Sequence, residues 1–249
     1  MRYLIIADVH ANLEALETVL GAAAGSWDRL LMLGDLVGYG ASPNEVVDAI
    51  RALQPAAIIR GNHDKAACGL EDGSNFNHVA RAAATWTSEV LTDDNRTYIR
   101  ELRAGPIQID HQIEICHGAP FDEDHYIFDG DDALKGLATS ARPVCLFGHT
   151  HLPVVFHYEN EMFDGYVPDV PDAGSGHKIE LRAEAQYLIN VGSVGQPRDG
   201  DPRAAYGIYD HSDATLTMYR IAYPVDGAQR RILAAGLPAS LANRLAVGR

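Results

Sequence analysis

Five short blocks place histidine, aspartate or asparagine at the end of an apolar run. They are Asp8-Val-His10, Gly34-Asp35, Gly61-Asn62-His63-Asp64, His117-Gly118 and Gly148-His149-Thr150-His151. Each contains a potential metal ligand. Five of the 11 histidines fall in these blocks, and the other six are scattered. A lone histidine after a strand is an ordinary surface or core residue. Asp35 alone would pass for a turn residue, and Asn62 for a helix cap. Five such endings in order point to one metal-dependent site. Within Asp8/His10 and His149/His151 the spacing is i, i+2, which in extended backbone puts both side chains on one side. Glycines at 34, 61, 118 and 148 permit tight turns and close backbone approach.

The runs that carry the blocks are 3–7, 30–33, 56–59, 113–116 and 143–147. At four to five residues they read as buried strands rather than helices. Helical patterns lie between them: Leu13–Leu20, with Asn12 placed to cap it, and Asn44–Leu53 after Pro43. The first half is therefore β-α-β-α-β, a parallel-sheet pattern. In such sheets ligands bind at the carboxyl ends of the strands, so the blocks can converge.

Residues 75–103 carry no strand signal and read as two consecutive helices restarting at Asp93, a small insertion or cap. The second half is mostly β. Strands are predicted at 154–158, 161–164, 178–181, 186–191, 205–210 and 215–221, with a hairpin at Glu159-Asn160 and a loop over 169–176. A last helix spans Asp226–Ala235, and Ala239–Arg249 could pack on the core or on a partner. No clean linker interrupts the chain, so one domain over 1–249 is expected, with the insertion at about 75–103.

The ordered pattern D-x-H, G-D, G-N-H-D, H-G, G-H-x-H resembles the calcineurin-like metallophosphoesterases over about residues 1–210. Gly34–Gly40 and Asn190–Arg198 resemble the small bacterial and archaeal phosphodiesterase branch. Ala11 departs from the glycine that many relatives carry there. The resemblance implies an α/β (α+β) fold: a central β-sandwich of mixed sheets flanked by helices, in four layers. It implies a two-metal site as well. Asp8, His10, Asp35 and His151 would hold one ion; Asp35, Asn62, His117 and His149 would hold the other, with Asp35 shared. Such imidazole, carboxylate and amide-oxygen donors suit Mn, Fe, Zn or Ni, and the lack of cysteine ligands argues against structural zinc. Two divalent ions, two aspartates and a hydroxide leave +1, which attracts phosphate despite a chain charge of −14.

The implied activity is hydrolysis of a phosphate ester, foremost a phosphodiester, by hydroxide attack in line on phosphorus. His63 would be the general acid or charge stabiliser, oriented by Asp64. Alternatives within the class are a phosphomonoesterase, a protein phosphatase or a dinucleoside polyphosphate hydrolase. A non-catalytic scaffold is disfavoured because every ligand position and His63 are filled. The expected partner is a small phosphate ester, with nucleotides among the candidates.

Further residues are candidates for substrate contact. Arg198, Arg60 and Arg203 could clamp a phosphate, Tyr39 could line the mouth, and Asn12 is either a helix cap or a contact. Phe76 and Trp86 pack the cap or form a base-stacking wall. The acidic stretches 122–124 and 129–132 lack calcium-loop spacing and read as solvated loops.

Composition bounds the rest. At 249 residues, 47% hydrophobic and 22% charged, the chain is globular rather than disordered. Its acidity excludes broad nucleic-acid binding. Cys68, Cys116 and Cys145 form no CxxC pair, and Cys116 and Cys145, inside apolar runs, read as buried reduced thiols. With no signal-peptide core and no stretch of membrane-spanning length, a cytoplasmic protein is expected.

Overall fold

The computed structural model describes residues 1–171 and 174–249. They form two six-stranded sheets packed face to face, with helices on both outer faces. The first sheet runs β3(Ala57–Ile58), β2(Arg29–Met32), β1(Arg2–Ile6), β11(Ala204–Asp210), β12(Thr215–Ile221), β9(His177–Glu180). The second runs β4(Ile107–Gln108), β5(Ile113–Ile115), β6(Val144–Phe147), β10(Gln186–Asn190), β7(Val154–Glu159), β8(Met162–Tyr166). Both sheets are mixed. β1, β2 and β3 are parallel, whereas β11 joins β1 antiparallel. In the second sheet β5, β6 and β10 are parallel.

The strands that lead into the blocks, such as β1, β2 and β6, are almost wholly apolar because both of their faces are covered. Along β1, Leu4 and Ile6 face the helices while Tyr3, Ile5 and Ala7 join the core between the sheets. β2 divides likewise, with Leu30 and Met32 outward and Leu31 and Leu33 inward. β6 sends Val144 and Leu146 into the same inter-sheet core, and Cys145 and Phe147 towards an outer helix. The period of two thus sorts one hydrophobic run into two cores.

Helices α1(Leu13–Ala22), α2(Pro43–Ala52), α4(His78–Val90), α5(Asp93–Glu101), α7(Val225–Ala234) and α8(Ala239–Leu245) contribute buried side chains to the outer core of the first sheet. α6(Gly130–Thr139) covers the second sheet, and α3(Asn62–Ala67) opens directly at the fourth ligand-bearing residue. The expected helical insertion is α4 and α5. It packs on α2 and α3, and Ala80, Ala83 and Ile99 are buried in that core.

Some expectations need correcting. Residues 129–132 are not a loop: Asp129 caps α6, its carboxylate accepting from Asp132 N at 3.0 Å, and Asp131 and Asp132 fill the first turn. There the carboxylates complement the helix dipole. The 154–166 hairpin turns at Asn160-Glu161, one residue later than expected, both with positive φ (51° and 63°). Ala239–Leu245 is helical and packs on the first sheet's outer core through Leu241, Ala242 and Leu245. The loop expected over 169–176 includes residues 172 and 173, which lie outside the described residues. All three cysteines are buried and free, with Cys116 and Cys145 Sγ 3.5 Å apart.

Candidate metal centre

The five blocks meet at one edge of the sandwich, where both sheets contribute. The loops after β1 and β2 stay zipped beyond the strands: Asp8 N bonds Gly34 O, His10 N bonds Asp35 O, and Ala11 N bonds Leu36 O. The loops after β5 and β6 do the same through Gly148 N and His117 O. The halves are stitched by Asp8, whose carboxylate accepts from His149 N at 3.1 Å.

The spacing of two does not act through extended backbone, as the sequence had suggested. Asp8, His10, Ala11, Asp35, Tyr39, His149 and His151 all have φ between 48° and 67°. A left-handed residue at each member of a pair, with Val9 or Thr150 between them in ordinary backbone, turns both members inward where a pleat would not. This conformation costs of order 1–3 kcal/mol per residue and persists only where surroundings enforce it. Gly61 shows how tight the packing is. A Cβ there would sit 2.1 Å from Asp35 Oδ1.

Four imidazoles are each pinned to a backbone carbonyl. His10 Nδ1 donates to Val37 O (3.0 Å), His151 Nδ1 to Gln196 O (2.6 Å), His117 Nδ1 to Leu33 O (2.8 Å) and His149 Nε2 to Asp124 O (3.0 Å). A carbonyl can only accept, so these nitrogens carry the protons. The opposite nitrogens converge. His10 Nε2 lies 3.0 Å from His151 Nε2, and His149 Nδ1 lies 3.1 Å from His117 Nε2. Burial keeps His10 and His151 neutral, so their facing lone pairs repel unless something positive lies between them. One carboxylate oxygen, Asp35 Oδ2, lies 3.5 Å from His10 Nε2 and 3.4 Å from His117 Nε2. Asp8 Oδ1 lies 3.7 Å from His151 Nε2, and Asn62 Oδ1 lies 3.4 Å from His117 Nε2.

Two overlapping groups could therefore hold cations: Asp8, His10, Asp35 and His151, and Asp35, His117 and His149, each with donor atoms within 4.8 Å of one another. All these residues are buried. Burial pushes His10, His149 and His151 well below the usual imidazole range. Burial, reinforced by the Asp35 charge, lifts Asp8 to about 7. Burial would also raise Asp35, but His117, His63 and His10 outweigh it and hold the carboxyl well below its ordinary value. Burial would lower His117 as well, but the Asp35 and Asp8 charges outweigh it and lift this ring to about 10, so three of the four imidazoles are neutral without help while His117 must give up a proton to a divalent ion.

His63 lies beside the cluster. Its ring meets Tyr39 (4.3 Å between centroids), Phe76 (4.5 Å) and His10 (4.9 Å, edge-on). Its Nδ1 is buried without a hydrogen-bond partner, against Gly38, where a Cβ would approach to 2.6 Å. Burial lowers the ring to about 4. The expected dyad is absent. Asp64 instead accepts from Val37 N (3.1 Å) and Gly61 N (3.0 Å), fixing the backbone of two ligand-bearing loops.

The outer residues sort clearly. Arg198 Nη2 reaches Tyr39 Oη (3.3 Å) and Gln196 Oε1 (3.0 Å), and Tyr39 stands edge-on to His10 at 4.8 Å. Arg60 is taken by Glu123 and Arg203 by Asp201, so neither is a phosphate clamp. The 122–124 stretch is not simply solvated, because Glu123 and Asp124 also bind the buried Lys65. Asn12 is a cap, accepting from Ala15 N and donating to Gly195 O and Tyr223 Oη. Asn12→Ala should lower the unfolding free energy by about 2 kcal/mol in denaturant titration. A raised KM at full stability would instead restore it to the substrate. Trp86 and Phe76 both pack against the outer core of the first sheet, and Phe76 also reaches His63. The sequence did not single out Tyr126, stacked on His149 at 3.7 Å, or Arg244, 5.8 Å from the Tyr39 ring centroid.

Residues 1–214 match the profile of the calcineurin-like phosphoesterase superfamily domain. The chain belongs to this superfamily. Members are metallophosphoesterases, hydrolases of phosphate esters, and the clustered donors above are what such an enzyme needs. This phosphoesterase is 34% identical to an uncharacterised protein of Methanocaldococcus jannaschii over 98% of the chain and 97% of that protein. It is 26% identical to the phosphodiesterase YfcE of Escherichia coli, over 85% of the chain and 88% of that enzyme. Among solved structures, a metallophosphoesterase from Sphaerobacter thermophilus matches with a TM-score of 0.86 and 38% identity, covering 100% of this phosphoesterase and 99% of that chain. Among the described residues no helix is long and apolar enough to cross a membrane.

Proposed function

We propose that this phosphoesterase is a dinuclear phosphodiesterase. Asp8, His10, Asp35 and His151 would hold one divalent ion, and Asp35, Asn62, His117 and His149 the other. The observation that carries this is the pinning of four imidazoles to backbone carbonyls, which aims their other ring nitrogens at carboxylates, one of which is shared. When bound, the ions supply Lewis acidity, acidifying water and neutralising charge on a phosphoryl group.

The chain's own residues do the rest. His63 Nε2 delivers a proton or hydrogen bond to the leaving oxygen, its ring held by Tyr39, Phe76 and Gly38. Arg198 bears on the same space, lowering the tendency of His63, His10 and His151 to protonate. Its guanidinium would bind a phosphoryl oxygen. Tyr126 and Phe76 offer apolar ring faces beside the site, which suits an aryl or nucleoside ester.

The test is hydrolysis of bis(4-nitrophenyl) phosphate beside 4-nitrophenyl phosphate, with Mn supplied, by the wild type and His149→Ala. Diester turnover lost in the variant is expected. Turnover of the monoester alone would replace the diesterase reading with a phosphatase.

A further inference from the structure

Two cations bracket the Gly61-Asn62-His63-Asp64 block. Arg60 precedes it and Lys65 follows it, and both reach the loop after the His117-Gly118 block. Arg60 grips Glu123 with two bonds, Nε to Oε2 at 3.2 Å and Nη2 to Oε1 at 3.0 Å. Lys65 Nζ lies 2.5 Å from Asp124 Oδ2, 2.7 Å from Glu71 Oε1 and 3.3 Å from Glu123 Oε1. The lysine is only 3% exposed, whereas the Glu71 and Asp124 side chains are about half exposed. A lysine is almost never buried to this extent unless it is paired.

The loop it holds folds back on its own block. Gly118 N donates to Glu123 O at 3.1 Å, and a Cβ on Gly118 would meet Glu123 O and His125 O at 2.7 Å. From this loop Asp124 O accepts from His149 Nε2 at 3.0 Å, and Tyr126 stacks on the same ring. The bond to Asp124 leaves His149 Nδ1 as the nitrogen that faces His117 Nε2, 3.1 Å away. The ion pairs therefore join three blocks, which carry Asn62, His117 and His149. These are the three residues assigned to the second ion alone. The imidazoles assigned to the first ion, His10 and His151, are pinned from other loops, by Val37 O and Gln196 O.

We propose that Lys65 is a positioning residue for the second ion. By anchoring the Asp124 carboxylate it fixes the neighbouring carbonyl, which keeps the His149 proton on Nε2 and Nδ1 open to metal. This rests on the dinuclear reading above. The alternative is a strut that only fastens the loop to α3.

The test titrates Mn into the metal-free protein and reads binding by calorimetry. The wild type should take up two ions. Lys65→Met keeps the apolar stem and removes the charge. It should bind one ion as the wild type does and the other about 10–100-fold more weakly, the usual cost of losing support behind a metal ligand. Asp124→Ala alters a half-exposed side chain and keeps the backbone carbonyl, so it should show the same selective loss in a protein that folds normally. In His149→Ala, which should already lack that ion, adding Lys65→Met should leave the remaining ion's affinity unchanged. A strut would weaken both ions alike as the melting temperature falls, and that result overturns the proposal. Two ions held at wild-type affinity by Lys65→Met and Asp124→Ala overturn it while the dinuclear reading stands. A wild type that takes up fewer than two ions overturns both.

Discussion

Asp35→Asn is expected to empty the metal centre without unfolding the protein. One carboxylate oxygen, Oδ2, lies within 3.5 Å of ring nitrogens from both ligand groups, while Oδ1 accepts the His63 N–H at 2.9 Å. An amide in this place has one way to sit. Its oxygen must stay on the His63 N–H, because two donors cannot face each other in a buried site. Its NH₂ then turns towards the lone pairs of His10 and His117. That arrangement satisfies the metal-free protein and excludes cations. Metal analysis should show both ions lost or strongly reduced. Diester turnover should fall by about 10³-fold or more, since several kcal/mol of charge stabilisation depend on the ions. The metal-free variant should be at least as stable to denaturant as metal-free wild type, because a buried charge is gone. Two ions retained at wild-type affinity would show that Asp35 is not shared between them.

That this carboxylate was recognisable from sequence, while Asp64 was misjudged, has a physical basis. Asp35 ends a strand whose two faces are both buried, so its position follows from the run of apolar residues before it. The same logic located Asp8, His117 and His149, and the parallel β1-β2-β3 order. What a side chain does after the strand ends depends on loop dihedrals, which spacing does not encode. Asp64 lies next to His63 in the chain, yet α3 begins at Asn62 and turns the two side chains apart, so the carboxylate serves Gly61 and Val37. α3 itself was hidden because it has six residues and its first three look like ligands. α6 was hidden because capping acids look like solvated loop acids. Arg244 was beyond reach for another reason. Its partner in space, Tyr39, lies near the other end of the chain, and nothing in a short helix with one arginine announces that contact.

His63→Ala should keep both metals and lose turnover in a way that depends on the leaving group. The ring is oriented by packing rather than by a carboxylate, between Tyr39 and Phe76 and over Gly38. With Nδ1 sealed, Nε2 is the nitrogen that can reach a leaving oxygen. An alkoxide leaving group needs that proton, whereas 4-nitrophenolate departs without it. Alkyl diesters should therefore lose about 10²–10⁴-fold in kcat, and the 4-nitrophenyl diester much less. Asp64→Asn provides the contrast. It keeps one acceptor for the Val37 or Gly61 amide and loses the other, so it should cost stability and metal affinity while leaving the slope against leaving-group pKa unchanged. Should His63→Ala depress every ester equally, the ring would be a shaping element of the pocket and not a proton donor. Should Asp64→Asn steepen the leaving-group dependence as His63→Ala does, the two would act as a unit through a rearrangement absent from this structure. The present geometry, with 3.0–3.1 Å bonds from Asp64 to two backbone amides, argues for separate roles: one residue builds the loops, and the other meets the substrate.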